Sequence, residues 1–160
     1  ARALPACTAF SATISGTLRS LDGLPLKGDR VFLFRTASLT LKKAVQCGMD
    51  EGRATLVLTF NDLVSPSDIE NFLCLLTPHG THMGFYVPDD GPRTRVRVRM
   101  KDPYSGTLLV SVKPGLRGVS GPLGVNECVT KSVHVDTRLE IRDVQPRMPS
   151  EGAPYILVEP

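Results

Sequence analysis

The stretch from Pro92 to Lys101 reads Pro-Arg-Thr-Arg-Val-Arg-Val-Arg-Met-Lys, and it decides the fold class. Successive side chains of a β-strand point to opposite faces, so alternating residue types predict a strand with two different faces. Val96, Val98 and Met100 give one face that is apolar enough to lie on a core. The other face is a row of cations, which consists of Arg93, Arg95, Arg97, Arg99 and Lys101.

Further short apolar or alternating segments surround this strand, and turn residues separate them. The 160 residues include 14 Gly and 13 Pro, a punctuation that is typical of an all-β protein. The segments recur about every 8–12 residues and predict a mainly antiparallel β-sandwich or jelly-roll-like domain, with a small barrel as the alternative. The predicted strands cover residues 8–18, 30–35, 38–45, 54–60, 83–87, 93–101, 106–112, 129–135, 138–144 and 155–158.

Two of the early segments also carry expectations about burial. Residues 8–18 alternate between apolar and polar side chains, which predicts a half-buried strand. The run Val31-Phe32-Leu33-Phe34 is continuously apolar, which predicts a strand that is covered on both faces.

One segment follows the helical period instead. Ser65 is placed to cap a helix, and Pro66 suits the first helical position. Apolar residues then recur as they do along one face of a helix, at Ile69, Phe72, Leu73 and Leu76. The pattern predicts one short helix at about 66–76 with a single apolar stripe.

Length and charge bound the organisation of the chain. Residues 1–160 fit a single domain, and the form of both ends predicts a piece of a longer chain. The net charge of +3 is mild, so binding to a polyanion would depend on the local row of cations. The sequence has no apolar run of about 18 residues, so no transmembrane segment is predicted.

The cysteines are few and widely spaced, at Cys7, Cys47, Cys74 and Cys128. This spacing favours free thiols, with one or two disulfides as the alternative. Cys74, His79 and His82 lie close together in sequence, and Cys128 could add a fourth zinc ligand. Because the spacing matches no common zinc finger, we predict no metal site.

Local signatures of catalysis are not found in the sequence. It lacks Gly-x-Ser-x-Gly, His-Glu-x-x-His and the Gly-Lys-Ser/Thr loop that cradles phosphates. We therefore predict no catalytic residue, no cofactor and no enzymatic activity.

One turn resembles a known family. Asp102-Pro103-Tyr104-Ser105-Gly106, followed by the alternating residues 107–112, is similar to the Asp-x-x-Tyr-x-Gly turn of the dUTPase family, with one residue fewer between Asp and Tyr. The resemblance implies a jelly-roll-like β domain in which the turn helps to hold a nucleoside. The family's Pro-Arg-Ser-Gly segment and Gly-rich C-terminal motif do not occur, so the relative implied is a catalytically silent one. A pocket for such a ligand would need Asp102, Tyr104 and a loop such as the Gly-rich residues 115–124.

The first functional hypothesis is a non-catalytic interaction or structural module of a cell-surface, secreted or viral structural protein. It would make protein–protein contacts, self-association included, with the cationic row from Arg93 to Lys101 as the expected contact surface. The protein would be extracellular or virion-associated rather than a cytosolic enzyme. The alternative is a polyanion or nucleic-acid binder, in which the cationic row from Arg93 to Lys101 donates charge-assisted hydrogen bonds. The same row could instead be a solvated face whose arginines pair with Asp136 or Glu140.

Overall fold

A computed structural model describes residues 4–136, 143–147 and 155–159 of the chain. Over these ranges the chain forms one α-helix, α1 (Pro66–Phe72), and twelve β-strands. The strands are β1 (Ala9–Ile14), β2 (Arg30–Arg35), β3 (Leu41–Asp50), β4 (Arg53–Val64), β5 (Leu73–Leu76), β6 (His82–Met83), β7 (Phe85–Tyr86), β8 (Arg93–Met100), β9 (Gly106–Val112), β10 (Val129–Val135), β11 (Asp143–Arg147) and β12 (Tyr155–Glu159).

Two four-stranded sheets and two hairpins contain these strands. One sheet has the order β3-β4-β8-β7 and the other has the order β10-β9-β5-β6, while β1 pairs with β2 and β11 pairs with β12. All of these strand pairs are antiparallel. The mainly antiparallel all-β class is thus confirmed, and the sandwich or jelly-roll topology stays a prediction.

The core joins the inward faces of the two four-stranded sheets. Val96, Val98 and Met100 of β8 are fully buried, while Arg95 and Arg97, which alternate with them, are exposed. On β4, Leu56 and Leu58 lie opposite Val98 and Val96 and are equally buried. The same cluster includes side chains of the second sheet, namely Leu75, Leu108, Val110, Val112, Val133 and Val135.

The helix is shorter than the sequence pattern predicts. It begins at Pro66 after Ser65, as predicted, but it ends at Phe72, and the next four residues form β5. Leu73 and Leu75 are buried, whereas Cys74 and Leu76 are only partly buried. Pairing with β9 gives the backbone of this segment its hydrogen bonds and places Leu75 in the core, so the tertiary contact overrides the helical spacing.

The strand predicted at 83–87 is divided between the two sheets. Met83 ends β6, which pairs with β5, and Phe85 begins β7, which pairs with β8. Gly84 lies between them, and its carbonyl accepts a hydrogen bond from the backbone of Lys101 at 2.9 Å. The chain therefore passes from one sheet to the other at this residue.

The C-terminal part of the chain is described in two strands. The strand predicted at 138–144 lies largely outside the described residues, because 137–142 are not among them, and β11 begins at Asp143. The strand predicted at 155–158 is confirmed as β12.

The hairpin of β1 and β2 corrects both expectations about burial. Residues 9–35, which we call the arm, include these strands and the segment that connects them, and among the described residues none of the arm belongs to the core cluster. Only Phe10 of β1 is partly buried, so the half-buried strand predicted here is mostly exposed. Val31, Phe32, Leu33 and Phe34 are 60%, 53%, 80% and 45% exposed, although the apolar run predicts cover on both faces. Among the described residues each of the two strands pairs only with the other, and the exposure of these side chains shows that no described segment covers them.

The two faces of β8 can be tested with one substitution on each. We expect Val98→Asp to lose the cooperative unfolding transition, because a charge would enter a fully buried position without a partner. Arg95→Ala changes an exposed residue of the same strand and should alter the free energy of unfolding by less than about 0.5 kcal/mol. Urea denaturation followed by circular dichroism measures both. A Val98→Asp variant that melts like the wild type would show that the faces are reversed.

Candidate interaction surfaces

The cationic row lies on the outward face of the first sheet. Across the β4–β8 pair, Thr59 is opposite Arg95, and Val57 is opposite Arg97. One strand further out, Lys43 of β3 is opposite Thr59, so Lys43 and Arg95 flank the same threonine. Because neighbouring strands are about 4.8 Å apart, Lys43 on β3 lies two strand spacings from the cationic row of β8.

A buried carboxylate binds two of the predicted cations. The side chain of Asp89 has no exposed surface, and its Oδ1 accepts hydrogen bonds from Nη1 of Arg93 and Nε of Arg97, both at 2.9 Å. Its Oδ2 accepts the backbone N–H of Arg97 at 2.5 Å. Because β7 pairs with β8 only at Arg99 and Met100, Asp89 takes the place of a neighbouring strand beside Arg97. The carboxylate thus completes the sheet edge and neutralises charge at the same point.

The environment of Asp89 shifts its pKa. Burial alone would raise the pKa of this carboxyl, but the hydrogen bonds from Arg97 and the charge of Arg93 outweigh burial, so the pKa is lowered. The carboxylate in turn raises the pKa of the Arg97 guanidinium. The site is therefore an ion pair that is charged on both sides at neutral pH.

The remaining cations of the row divide into paired and unpaired ones. Arg99 forms an ion pair with Asp50 at the end of β3. In the part of the chain that the structure describes, Arg95 and Lys101 have no carboxylate within ion-pair distance. Of the acidic partners that the sequence suggests, Glu140 lies outside the described residues, and the backbone of Asp136 hydrogen-bonds the Gln46 amide at 2.9 and 3.0 Å.

The turn that resembles the dUTPase family is held by its own contacts. The Tyr104 hydroxyl donates a hydrogen bond to the carbonyl of Thr107 at 2.7 Å, and Gly106 adopts a φ of 129° beside it. Asp102 and Tyr104 precede β9, whereas the Gly-rich residues 115–124 follow it. A seven-residue strand spans about 20 Å, so these two segments lie at opposite ends of β9 and do not line one pocket.

The cysteines and histidines are spread over different parts of the fold, with Cys47 on β3 of the first sheet and Cys74 on β5 of the second. All four cysteines are free thiols, with Cys7 buried and Cys47 and Cys128 exposed. Cys74 lies opposite Ser111 of β9, and His82 lies opposite Leu76 of β5. Among the described residues, no group of three or more His, Cys, Asp or Glu side chains is placed to hold a metal ion.

A second buried carboxylate fixes the base of the arm. Asp62 accepts the hydroxyl of Ser120 at 2.6 Å and its backbone N–H at 3.1 Å. Burial would raise the pKa of Asp62, but the hydrogen bonds from Ser120 and the neighbouring backbone lower it overall. Burial and then the Asp62 carboxylate raise the pKa of the Cys7 thiol. Cys7 precedes β1, and its carbonyl accepts the N–H of Leu123 at 2.7 Å, so this network ties the arm to the Gly-rich loop.

The arm itself presents an apolar surface. Phe10 lies opposite Phe34 with their rings stacked at 5.3 Å, and Ala12 lies opposite Phe32 on the same face. Most of the large apolar side chains that are exposed in the described part of the chain belong to the arm: Ile14, Leu18, Leu21, Leu24, Val31, Phe32, Leu33 and Phe34. Leu21, at the turn, is fully exposed.

Sequence reasoning missed three of these features, and only one of them had a visible signal. Asp62 follows Leu56, Leu58 and Phe60 at the inward position of the β4 alternation, which indicates a buried acid. Asp89 occurs in an Asp-Asp-Gly-Pro segment that indicates only a turn. The exposure of the arm had no signal, because an apolar strand has the same composition whether it is covered or not.

Comparison of the chain with protein-family models and with curated proteins found no match. The single helix of the described ranges has seven residues, and no helix there is long and apolar enough to cross a membrane.

The Asp89 ion pair predicts a loss of stability when its charge is removed. We expect Asp89→Asn to lower the free energy of unfolding at pH 7 by about 1–3 kcal/mol, since a buried acceptor loses charge-assisted hydrogen bonds. Asp50→Asn is the matched control. Its side chain is 61% exposed, so breaking the pair with Arg99 should cost less than about 1 kcal/mol.

The pH dependence of the same variant follows from the lowered pKa. A carboxyl of this kind stabilises the fold above its unfolded pKa of about 3.9, and the contribution is lost as pH falls through the folded pKa. Below about pH 4, the free energy of unfolding should therefore fall less steeply with decreasing pH for Asp89→Asn than for the wild type. Urea denaturation at a series of pH values measures this slope. Equal slopes in the two proteins would contradict the role given to Asp89. The Asp62 carboxyl, whose pKa is also lowered, contributes to the slope that the variant retains.

Proposed function

We propose that this protein is a non-catalytic interaction module that makes protein–protein contacts through the arm. The observation that supports it is the run from Val31 to Phe34, in which four consecutive apolar side chains are at least 45% exposed. Because these side chains alternate, apolar surface is exposed on both faces of β2, and exposed apolar surface is typical of a site that binds a partner. The hairpin of the arm would make the contact. The hydrogen bonds between Asp62 and Ser120 would hold the segment from which the arm extends.

The geometry of the basic strand supports a lesser role for it. Arg93, Arg97 and Arg99 are engaged by Asp89 and Asp50, so their charges are partly balanced within the fold. A partner that met this face would contact a mixed surface rather than an uninterrupted row of cations.

A second candidate function is weak binding of a polyanion through the outward face of the first sheet. It is favoured by one observation: Arg95 and Lys101 have no carboxylate partner among the described residues, and Lys43 lies on the same side. These three cations could contact phosphates or sulphates by charge alone. The alternative of a silent dUTPase relative is not supported by the turn, because the Tyr104 hydroxyl donates its hydrogen bond to the backbone of its own turn.

Site-specific photo-cross-linking tests the proposed role of the arm. We expect a photoreactive amino acid at Leu33, which is 80% exposed, to cross-link a protein in an extract of the source cells. The same group at Lys131, an exposed position of β10, should yield no such product. The proposal fails if neither position cross-links a protein, or if both give the same products.

Salt-dependent binding to a short DNA duplex tests the polyanion candidate. Each lost phosphate contact lowers the slope of log affinity against log salt by about 0.9. We expect Arg95→Ala/Lys101→Ala to reduce this slope by roughly 1–2, and Arg93→Ala/Arg97→Ala to reduce it less, because Asp89 already engages those arginines. Absence of binding in all three proteins at low salt would eliminate this candidate.

A further inference from the structure

We infer that two copies of this chain associate through the open edge of β1, so that their arms form one four-stranded antiparallel sheet. The inference rests on the proposed function of the arm and names its partner as a second copy. It begins from a physical constraint: a two-stranded hairpin without a covering layer is only marginally stable in water, and added strands stabilise it. Within the described ranges the arm is such a hairpin.

The backbone of β1 has donors and acceptors directed to its open edge. The N–H of Thr36 donates to the carbonyl of Thr8 at 3.0 Å, in register with the β1–β2 pair. Residues of an antiparallel strand alternate between hydrogen bonding with one neighbour and facing the other side. Phe10 and Ala12 therefore bond toward β2, while Ser11 and Thr13 direct their N–H and C=O groups to the open edge.

The two edges of the arm differ in charge. β2 begins with Arg30 and ends with Arg35, and cations at a strand edge oppose pairing with another strand. β1 reads Ala-Phe-Ser-Ala-Thr-Ile and has no charged residue and no proline. The devices that protect an edge strand are thus present on β2 and missing on β1, which indicates β1 as the strand that pairs.

The sequence of β1 is complementary to itself in one antiparallel register. With a two-fold axis at Ala12, Phe10 lies opposite Ile14 of the second copy, and Ser11 lies opposite Thr13 of the second copy. The large apolar side chains then meet on one face, and the hydroxyl side chains meet on the other. Ser11 and Thr13 are also the residues whose backbone groups face the open edge, so side-chain and backbone matching require the same register.

The resulting sheet has the order β2-β1-β1-β2 and is an isologous contact, which closes as a dimer. Its apolar face would contain Phe10, Ala12, Ile14, Phe32 and Phe34 from each copy. The arginines Arg30 and Arg35 stay on the outer strands, where water can solvate them, and no like charges meet at the seam.

Two proline substitutions at one level of the arm test the seam. Thr13 and Val31 lie opposite each other, and each directs its N–H to the open edge of its own strand. A proline at an open edge leaves the hairpin ladder intact. We expect Thr13→Pro to weaken dimerisation at least tenfold, equivalent to about 1.4 kcal/mol, and Val31→Pro to leave the dimer in place. Sedimentation velocity over a wide range of protein concentration measures the association.

A disulfide across the proposed axis gives an independent measurement. In a Cys47→Ser/Cys128→Ser background, Ala12→Cys should form a disulfide-linked dimer under mild oxidation by air, because the axis brings the two Cβ atoms close together. Ala9→Cys, at the other end of β1, has no counterpart within bonding distance in this register and should stay monomeric under the same conditions.

The outcomes separate this inference from the proposed function. A wild-type protein that stays monomeric at all concentrations, or a dimer that Val31→Pro breaks and Thr13→Pro does not, overturns the β1 seam. If the photoreactive group at Leu33 then cross-links a different protein, the arm is still an interaction surface and only the identity of its partner was wrong. If it cross-links nothing, both proposals fail.

Discussion

Burial of the inward side chains of β4 and β8 is the constraint on which the rest of the structure depends. Leu56 faces Val98, Leu58 faces Val96, and all four are completely shielded from water. Because side chains alternate along a strand, an inward position of Val96 and Val98 requires that the residues next to them in β8 point outward. The position of the cationic row, and its distance from the core, are consequences of that one contact.

The sheet needs acceptors for the backbone N–H groups at its edge and anions beside its outward cations. Asp89 provides both. Its carboxylate accepts the unpaired N–H of Arg97 and the guanidinium groups of Arg93 and Arg97. A single buried acid therefore converts part of a cationic row into a closed ion-pair network. The row is less a uniform polyanion surface than its sequence indicates, because Arg93, Arg97 and Arg99 are each paired with an acid.

The arm shows the opposite relation between sequence and burial. Its strands form where apolar and β-branched residues predict them, but no layer of the described structure covers Val31 to Phe34. Exposed apolar side chains of this kind are typical of interaction surfaces, and the proposed role of the arm as a contact surface rests on them. The uncharged edge of β1 then gives the arm a direction in which to extend its sheet.

The sequence by itself determined the all-β class, the inward and outward faces of β8 and the start of the helix at Pro66, because these depend on local periodicity and on turn or cap residues. Only the tertiary structure decided that residues 73–76 leave the helix for β5, that Asp89 meets Arg97, and that the arm stays exposed. Each of these depends on which distant segment lies beside a residue. Periodicity along the chain records the pattern of side chains, and it does not record what covers them.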